Sequence, residues 1–138
     1  HMPAERREGL VSRYCKGPAV KFFDFEPDLT EQYSEADVVV SMAGYNTVCE
    51  LLSLNKRAVL VPRSEPVQEQ LIRARLLASK GIFEYVEPKE LTPERLRDKI
   101  LRSIKTISLS THLMDLDGLP RINERVQSLL ADQEARYV

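Results

Sequence analysis

The residues best suited to chemistry lie in two short stretches, Ala43-Gly44-Tyr45-Asn46-Thr47 with Glu50, and Glu69-Gln70. A glycine with amide and hydroxyl side chains around it can receive an anion on backbone N–H groups. A carboxylate or amide one or two turns further on can face the same ligand. These are the parts of a binding site rather than of a covalent catalyst. Cys49 stands inside an apolar helical pattern and reads as a small core residue rather than a nucleophile. His112, the only histidine besides His1, has no companions at metal-ligand spacing, so no metal site is expected. The stretch lacks both the GxGxxG fingerprint and a Walker A lysine, which disfavours ordinary dinucleotide and P-loop chemistry.

Positioning these groups requires a strand, a turn and a helix in succession. Val38-Val39-Val40 is an apolar β-branched run without polar alternation, as suits a strand covered on both faces of a parallel sheet. Helical spacing takes over at Gly44: Tyr45, Val48 and Leu52 share one stripe, and Asn46 and Glu50 share another. A helix that begins at the carboxyl end of a parallel strand aims free N–H groups and the positive end of its dipole into the crevice where open α/β sheets bind ligands, and phosphate is the natural occupant. Gly44 allows a close backbone approach there, and Ala43 adds little bulk. Strand-turn-helix units with a glycine are common, and most bind nothing.

The 138 residues, 43% hydrophobic and 30% charged, fit one α/β domain over residues 3–138, with His1-Met2 read as a cloning remnant. A net charge of −1 gives no electrostatic case for nucleic acid or for an anionic membrane. Cys15 and Cys49 form neither a CxxC pair nor a disulfide framework, which favours a reducing, cytoplasmic setting. No apolar stretch is long enough to span a bilayer.

Around the central unit, Ala4 to Tyr14 reads as a short helix and the β-rich Val20 to Phe25 as a strand that Glu26-Pro27 ends. Leu29 to Ser34 is a helical turn. Ala58 to Pro62 and Ile82 to Val86 are further strands. Ser64-Glu65-Pro66 is a helix-start signal for a helix that carries Val67, Leu71, Ala74 and Leu77 inward and ends at Gly81. Thr92 caps the next helix, with Pro93 in its first turn, a Leu91–Leu96 staple, and Ile100 and Ile104 on its apolar face. Thr106 to Thr111 reads as a loop. The last helix, after Asp117-Gly118, carries an apolar stripe of Ile122, Val126, Leu129 and Leu130 that something must cover. Alternating strands and helices predict an α/β fold, a Rossmann-like parallel sheet flanked by helices.

The string Ser41-Met42-Ala43-Gly44-Tyr45-Asn46-Thr47-Val48-Cys49-Glu50, followed by Val59-Leu60-Val61-Pro62 and Glu69-Gln70, resembles the C-terminal, donor-binding domain of family 28 glycosyltransferases. The likeness runs from Val20 to about Ile104, and the form Gly-Tyr-Asn-Thr-Val-Cys-Glu is closer to a less characterised branch of predicted glycosyltransferases. The resemblance implies a partial GT-B C-terminal domain that binds a UDP-sugar, without a metal or other cofactor. In it Glu50 takes the ribose hydroxyls, Gly44, Tyr45 and Asn46 hold the diphosphate, Ala43 is also counted with the donor-binding residues, and Phe25 and Glu26 lie beside the nucleobase. Glu69 and Gln70 match two glutamines that contact the donor sugar, and the departure at Glu69 leaves the sugar open. Thr47 either adds a hydroxyl to the diphosphate or back-bonds within its helix. The alternatives are Phe25 as core, Glu26 as solvated and Glu50 as a charge that complements the helix dipole. Arg63 and Arg73 either offset phosphate charge or are simply solvated.

The implied reaction is an inverting displacement at the anomeric carbon that transfers a hexosyl group to an acceptor hydroxyl, the nucleoside diphosphate leaving. The family's opening strand, its glycine-rich loop, and the N-terminal domain that carries the general base and acceptor site have no counterpart here. The chain alone is therefore expected to be catalytically inert, with peripheral membrane contact possible only through that missing domain. In the strand order 3-2-1-4-5-6, Val20 to Phe25 lacks its usual neighbour, so it is expected to pair beside the central strand or with another molecule, which leaves room for a dimer. Two alternatives stand beside the transferase: a non-catalytic nucleotide-sugar-binding or interaction domain, and a fragment of a nucleotide-sugar 2-epimerase.

Overall fold

Ala58, Val59 and Leu60 are buried without exception because they form the middle strand of the sheet, with a parallel neighbour on each side. The computed structural model describes residues 3–15, 17, 19–66, 68–106 and 117–134. In chain order the elements are α1 (Ala4–Tyr14), α2 (Thr30–Glu35), β1 (Val39–Ser41), α3 (Tyr45–Ser53), β2 (Ala58–Leu60), α4 (Glu69–Ser79), β3 (Glu84–Tyr85), a 3-10 turn (Pro88–Glu90), α5 (Pro93–Lys105) and α6 (Leu119–Glu134). The sheet order is β1-β2-β3, all parallel, with Val40 opposite Val59 and Leu60 opposite Tyr85.

Side chains alternate across a strand, so the register divides the sheet into two faces. Val39, Ala58, Leu60 and Tyr85 share the face that packs on Val48, Leu51 and Leu52 of α3 and on Ala74 and Leu77 of α4. Val59 and Glu84 share the other, where α5 lies against β2 and β3 and Lys99 Nζ reaches Glu84 Oε2 at 2.5 Å. The architecture is thus α/β, a parallel sheet with helices on both faces.

Local signals set most boundaries. Thr92 Oγ1 accepts the N–H of Arg95 at 3.2 Å, the expected cap with Pro93 in the first turn. Gly81 takes φ +68° immediately after α4, where a side chain is disfavoured. Leu71, Ala74 and Leu77 point inward as expected, while Val67 lies outside the described residues. The helix itself begins only at Glu69, later than Ser64-Glu65-Pro66 implied. In α5 the buried side chain is Ser103 and Ile104 is exposed, so the apolar face is rotated from the expected one.

The principal correction concerns Val20 to Phe25, which is not a strand. A strand is stable only when another backbone takes its N–H and C=O groups. The sheet order ends at β1, and this segment does not pair with it. Val20, Phe22, Phe23 and Phe25 are all exposed, and Arg7 of α1 pairs with Asp24. The stripe Ile122, Val126, Leu129 and Leu130 on α6 is likewise open to solvent. Most of the loop expected over Thr106 to Thr111 lies outside the described residues, as does His112.

Candidate functional site

The carboxyl ends of β1 and β2 bring together groups that are far apart in sequence. β1 ends at Ser41, and the chain reaches α3 through Met42, Ala43 and Gly44. Ala43 is fully buried and takes φ +63°, a left-handed conformation that costs a residue with a Cβ about 1–2 kcal/mol. What holds it there is a cation: Arg73 of α4 donates from Nη1 to the Ala43 carbonyl at 2.8 Å. The same guanidinium pairs through Nη2 with Glu69 one turn earlier, and its Cζ lies 5.5 Å from the centroid of the Tyr45 ring. Arg63, just past β2, donates its backbone N–H to Gln70 Oε1 at 3.1 Å and its Nε to Met42 Sδ at 3.2 Å.

Gly44 shows what its sequence position reserves. Its φ of −59° and ψ of 148° are open to most residues, and a Cβ built on it would meet nothing within 4 Å. The fold therefore does not require glycine here. The space that a side chain would fill lies over the start of α3, whose N-cap supplies no side-chain hydrogen bond and whose first turn has no acidic residue. Val48 is the first residue of α3 whose N–H reaches back into the helix, to the Gly44 carbonyl at 3.0 Å. The N–H groups of Tyr45, Asn46 and Thr47 are left as the donors that every helix start offers. Without a cap or an acidic residue in the first turn, they and the helix dipole favour an anion.

Of the expected site residues, Ala43, Gly44, Tyr45, Asn46 and Thr47 lie at this turn, with Glu69 and Gln70 beside it in the first turn of α4. Thr47 makes no back-bond within its helix, and the exposed Glu50 carboxylate has no hydrogen bond or ion pair among the described residues. Glu50 lines a cleft of ≈ 660 Å³ between α3 and α4, together with Tyr45, Cys49, Arg73, Leu76 and Gly118. Phe25, 83% exposed, and the half-buried Glu26 make no hydrogen bond, ion pair or ring contact with the cluster. The reading of Phe25 as core is thereby overturned. Arg73 is not a free solvated arginine either, since its side chain is only 19% exposed and is committed to Ala43 and Glu69.

Sequence reasoning missed two features. The left-handed residue is Ala43 rather than the glycine next to it, and alanine carries no signal for that conformation. The link from Arg73 to Ala43 spans 30 positions, and no local pattern announces it. Elsewhere, a cavity of ≈ 440 Å³ at the amino ends of β2 and β3 is lined by Arg57, Glu84, Lys99 and Arg102. Its charges are largely satisfied within the fold: Lys99 meets Glu84, and Arg57 Nε donates to the Thr106 carbonyl at 3.1 Å. Among the described residues no three His, Cys, Asp or Glu side chains are grouped for a metal ion, and no helix is long and apolar enough to cross a membrane.

Comparison with known proteins yields a consistent set. The profile of the glycosyltransferase family 28 C-terminal domain matches residues 4–114. Among curated proteins the chain is similar to UDP-N-acetylglucosamine–N-acetylmuramyl-(pentapeptide) pyrophosphoryl-undecaprenol N-acetylglucosamine transferases. That of Haemophilus influenzae (strain PittGG) is 35% identical over 77 residues, 56% of this chain and 22% of the relative. That of Histophilus somni is 27% identical over 117 residues, 83% of this chain and 32% of the relative. That of Thermodesulfovibrio yellowstonii is 40% identical over 74 residues, 53% of this chain and 20% of the relative. The chain thus spans between a fifth and a third of the length of these relatives. Among solved structures, the glycosyltransferase VinC in complex with DTDP superposes with a TM-score of 0.60 at 27% identity, over 75% of this chain and 24% of that one.

Proposed function

This chain belongs to the glycosyltransferase family 28 C-terminal domain family, and we propose that it is the donor-binding part of a glycosyltransferase that takes a hexosyl group from a UDP-sugar to an acceptor hydroxyl. The observation that carries the reading is the unfilled space over Gly44 in front of an uncapped helix start. A diphosphate fits the donors there, and its negative charge grows as the bond to the sugar breaks. Fixed amides and a helix dipole therefore bind the departing group more tightly than the intact donor, which lowers the barrier.

Glu50 takes the ribose hydroxyls in this scheme: its carboxylate accepts two donors and has no partner among the described residues. Gln70 meets the sugar with its amide N–H groups, since its Oε1 is already held by Arg63. A donor domain of this kind orients the sugar, and the groups that activate the acceptor come from the remainder of a longer protein. Two free cysteines fit a reducing, cytoplasmic setting. Two relationships support the chemistry: the curated relatives are named for a UDP-linked donor, and the solved neighbour carries DTDP.

Isothermal titration of the chain with UDP, DTDP and GDP tests the reading. UDP is expected to bind, and Glu50→Ala to weaken it by about 1–3 kcal/mol, the range for leaving a polar group without its hydrogen-bond partner. Heat from none of the three, or an affinity that Glu50→Ala leaves as it was, overturns the assignment.

A further inference from the structure

We infer that Arg73 is a positioning residue for the anion site, acting through the peptide plane between Ala43 and Gly44 rather than by touching the ligand. The inference rests on the donor-site reading and specifies how that site is kept in shape. The Ala43–Gly44 peptide is trans, so its C=O and N–H point in opposite directions. Arg73 Nη1 holds the Ala43 carbonyl at 2.8 Å, which turns the Gly44 N–H away from Arg73. That N–H has no hydrogen-bond partner among the described residues. It precedes the free amides of Tyr45, Asn46 and Thr47, so the anchored carbonyl sets the direction of the first donor in the row.

The guanidinium is suited to this because its planar fork serves two partners at once. Nη2 is engaged by Glu69 at i−4, which neutralises the cation and fixes its rotamer while the Tyr45 ring lies beneath Cζ at 5.5 Å. A neutralised, mostly covered arginine is a poor phosphate ligand and a good brace. It also accounts for Ala43, which remains in a left-handed conformation with its carbonyl satisfied and its methyl buried. Lysine at position 73 would keep the charge but not the fork.

The test follows the backbone amides of the chain by heteronuclear NMR, free and titrated with UDP, in wild type, Arg73→Gln, Arg73→Lys and Glu69→Gln. Arg73→Gln is expected to shift the Gly44 and Tyr45 resonances in the free protein and to weaken UDP by about tenfold, as losing one aimed donor to a charged group would. Arg73→Lys, which keeps the ion pair with Glu69, is expected to move the same resonances and serves if the glutamine variant does not fold. Glu69→Gln, which leaves the bond to Ala43 in place, should do less on both counts. Unmoved Gly44 and Tyr45 resonances in both Arg73 variants would overturn the inference, as would an unchanged UDP affinity despite such a shift. A wild-type chain that binds no UDP would instead defeat the donor-site reading, and the Gly44 resonance would still decide whether Arg73 is the brace.

Discussion

β1, Val39-Val40-Ser41, and β2, Ala58-Val59-Leu60, are parallel strands of equal length with a valine at the centre of each, and they do different work. β2 is paired on both sides and covered on both faces. β1 is paired on one side only, and Val40, which sits opposite Val59 in the register, is 45% exposed while Val59 is fully buried. The stability of the molecule therefore concentrates on β2 and its helices, and the donors and charged side chains gather where β1 turns into α3. Burial is a property of what lies next to a strand, not of the strand's own composition. At the end of this edge strand the left-handed Ala43 is itself buried in the core, and the uncapped start of α3 follows directly after it.

The sharpest way to break this contrast is the same substitution at both members of one register pair. Val59→Ala removes two buried methyl groups and leaves a cavity, for an expected loss of about 2–3 kcal/mol. Val40→Ala removes the same atoms where water already reaches them, and the loss should stay within about 0.5 kcal/mol. Urea denaturation midpoints at constant slope measure both. Equal losses would mean that the β1 edge is covered in solution and that the division of labour is wrong.

A second substitution separates stability from binding at the β1 end. Gly44→Ala meets no atom of the fold and keeps an allowed φ, so its only stability terms are the weaker N-cap and the stiffer unfolded chain. These oppose each other at about 1 kcal/mol each. The expected outcome is a nearly unchanged urea midpoint with UDP affinity reduced by about tenfold, ~1.4 kcal/mol. Full binding by the variant would show that the space over Gly44 is not where the anion goes.

The same contrast explains what could be read from the sequence. The β1–α3 unit was legible because its signals are local: a β-branched run, a small-residue turn, then helical spacing from Tyr45. Gly81 and Thr92 announced a helix end and a helix start for equally local reasons, a positive φ and a side-chain cap. Val20 to Phe25 misled because β-forming composition says what a segment can do with a partner, and not whether one is within reach. The grouping of Ala43, Gly44 and Gln70 was legible from their places at strand ends, but the exposed setting of Phe25 was not. Ala43 and Arg73 were illegible together, since a conformation that alanine disfavours is held by a residue 30 positions away.

The smallest expected effect lies at the boundary between the exposed amino-terminal segment and the sheet, where α2 begins. Asp28 Oδ1 accepts the N–H of Thr30 at 2.8 Å, and Tyr33 of α2 packs against the core cluster. The hydrogen bonds from the Thr30 side chain and backbone favour the charged carboxylate and hold the Asp28 pKa below its ordinary value. A carboxylate whose pKa is lower in the folded state adds stability that is fully present above its unfolded pKa. That contribution is lost as pH falls through the folded one. The α2 start should therefore hold through mild acid and loosen only below the ordinary carboxylate range. Because Asp28 is exposed, the gain is small and screened by salt. The Thr30 amide proton is the direct reporter: its shift should titrate with a midpoint below that of an unpaired aspartate, and Asp28→Asn should abolish the titration. Protection of the Tyr33 amide, which bonds the Leu29 carbonyl at 2.8 Å, should fall over the same interval. A midpoint at the ordinary aspartate value would show that Asp28 does not anchor α2. The link between the open amino-terminal segment and the packed sheet would then have to be carried by Tyr33 and by Lys56, whose Nζ donates to the Ser34 and Ala36 carbonyls at 2.5 and 3.3 Å.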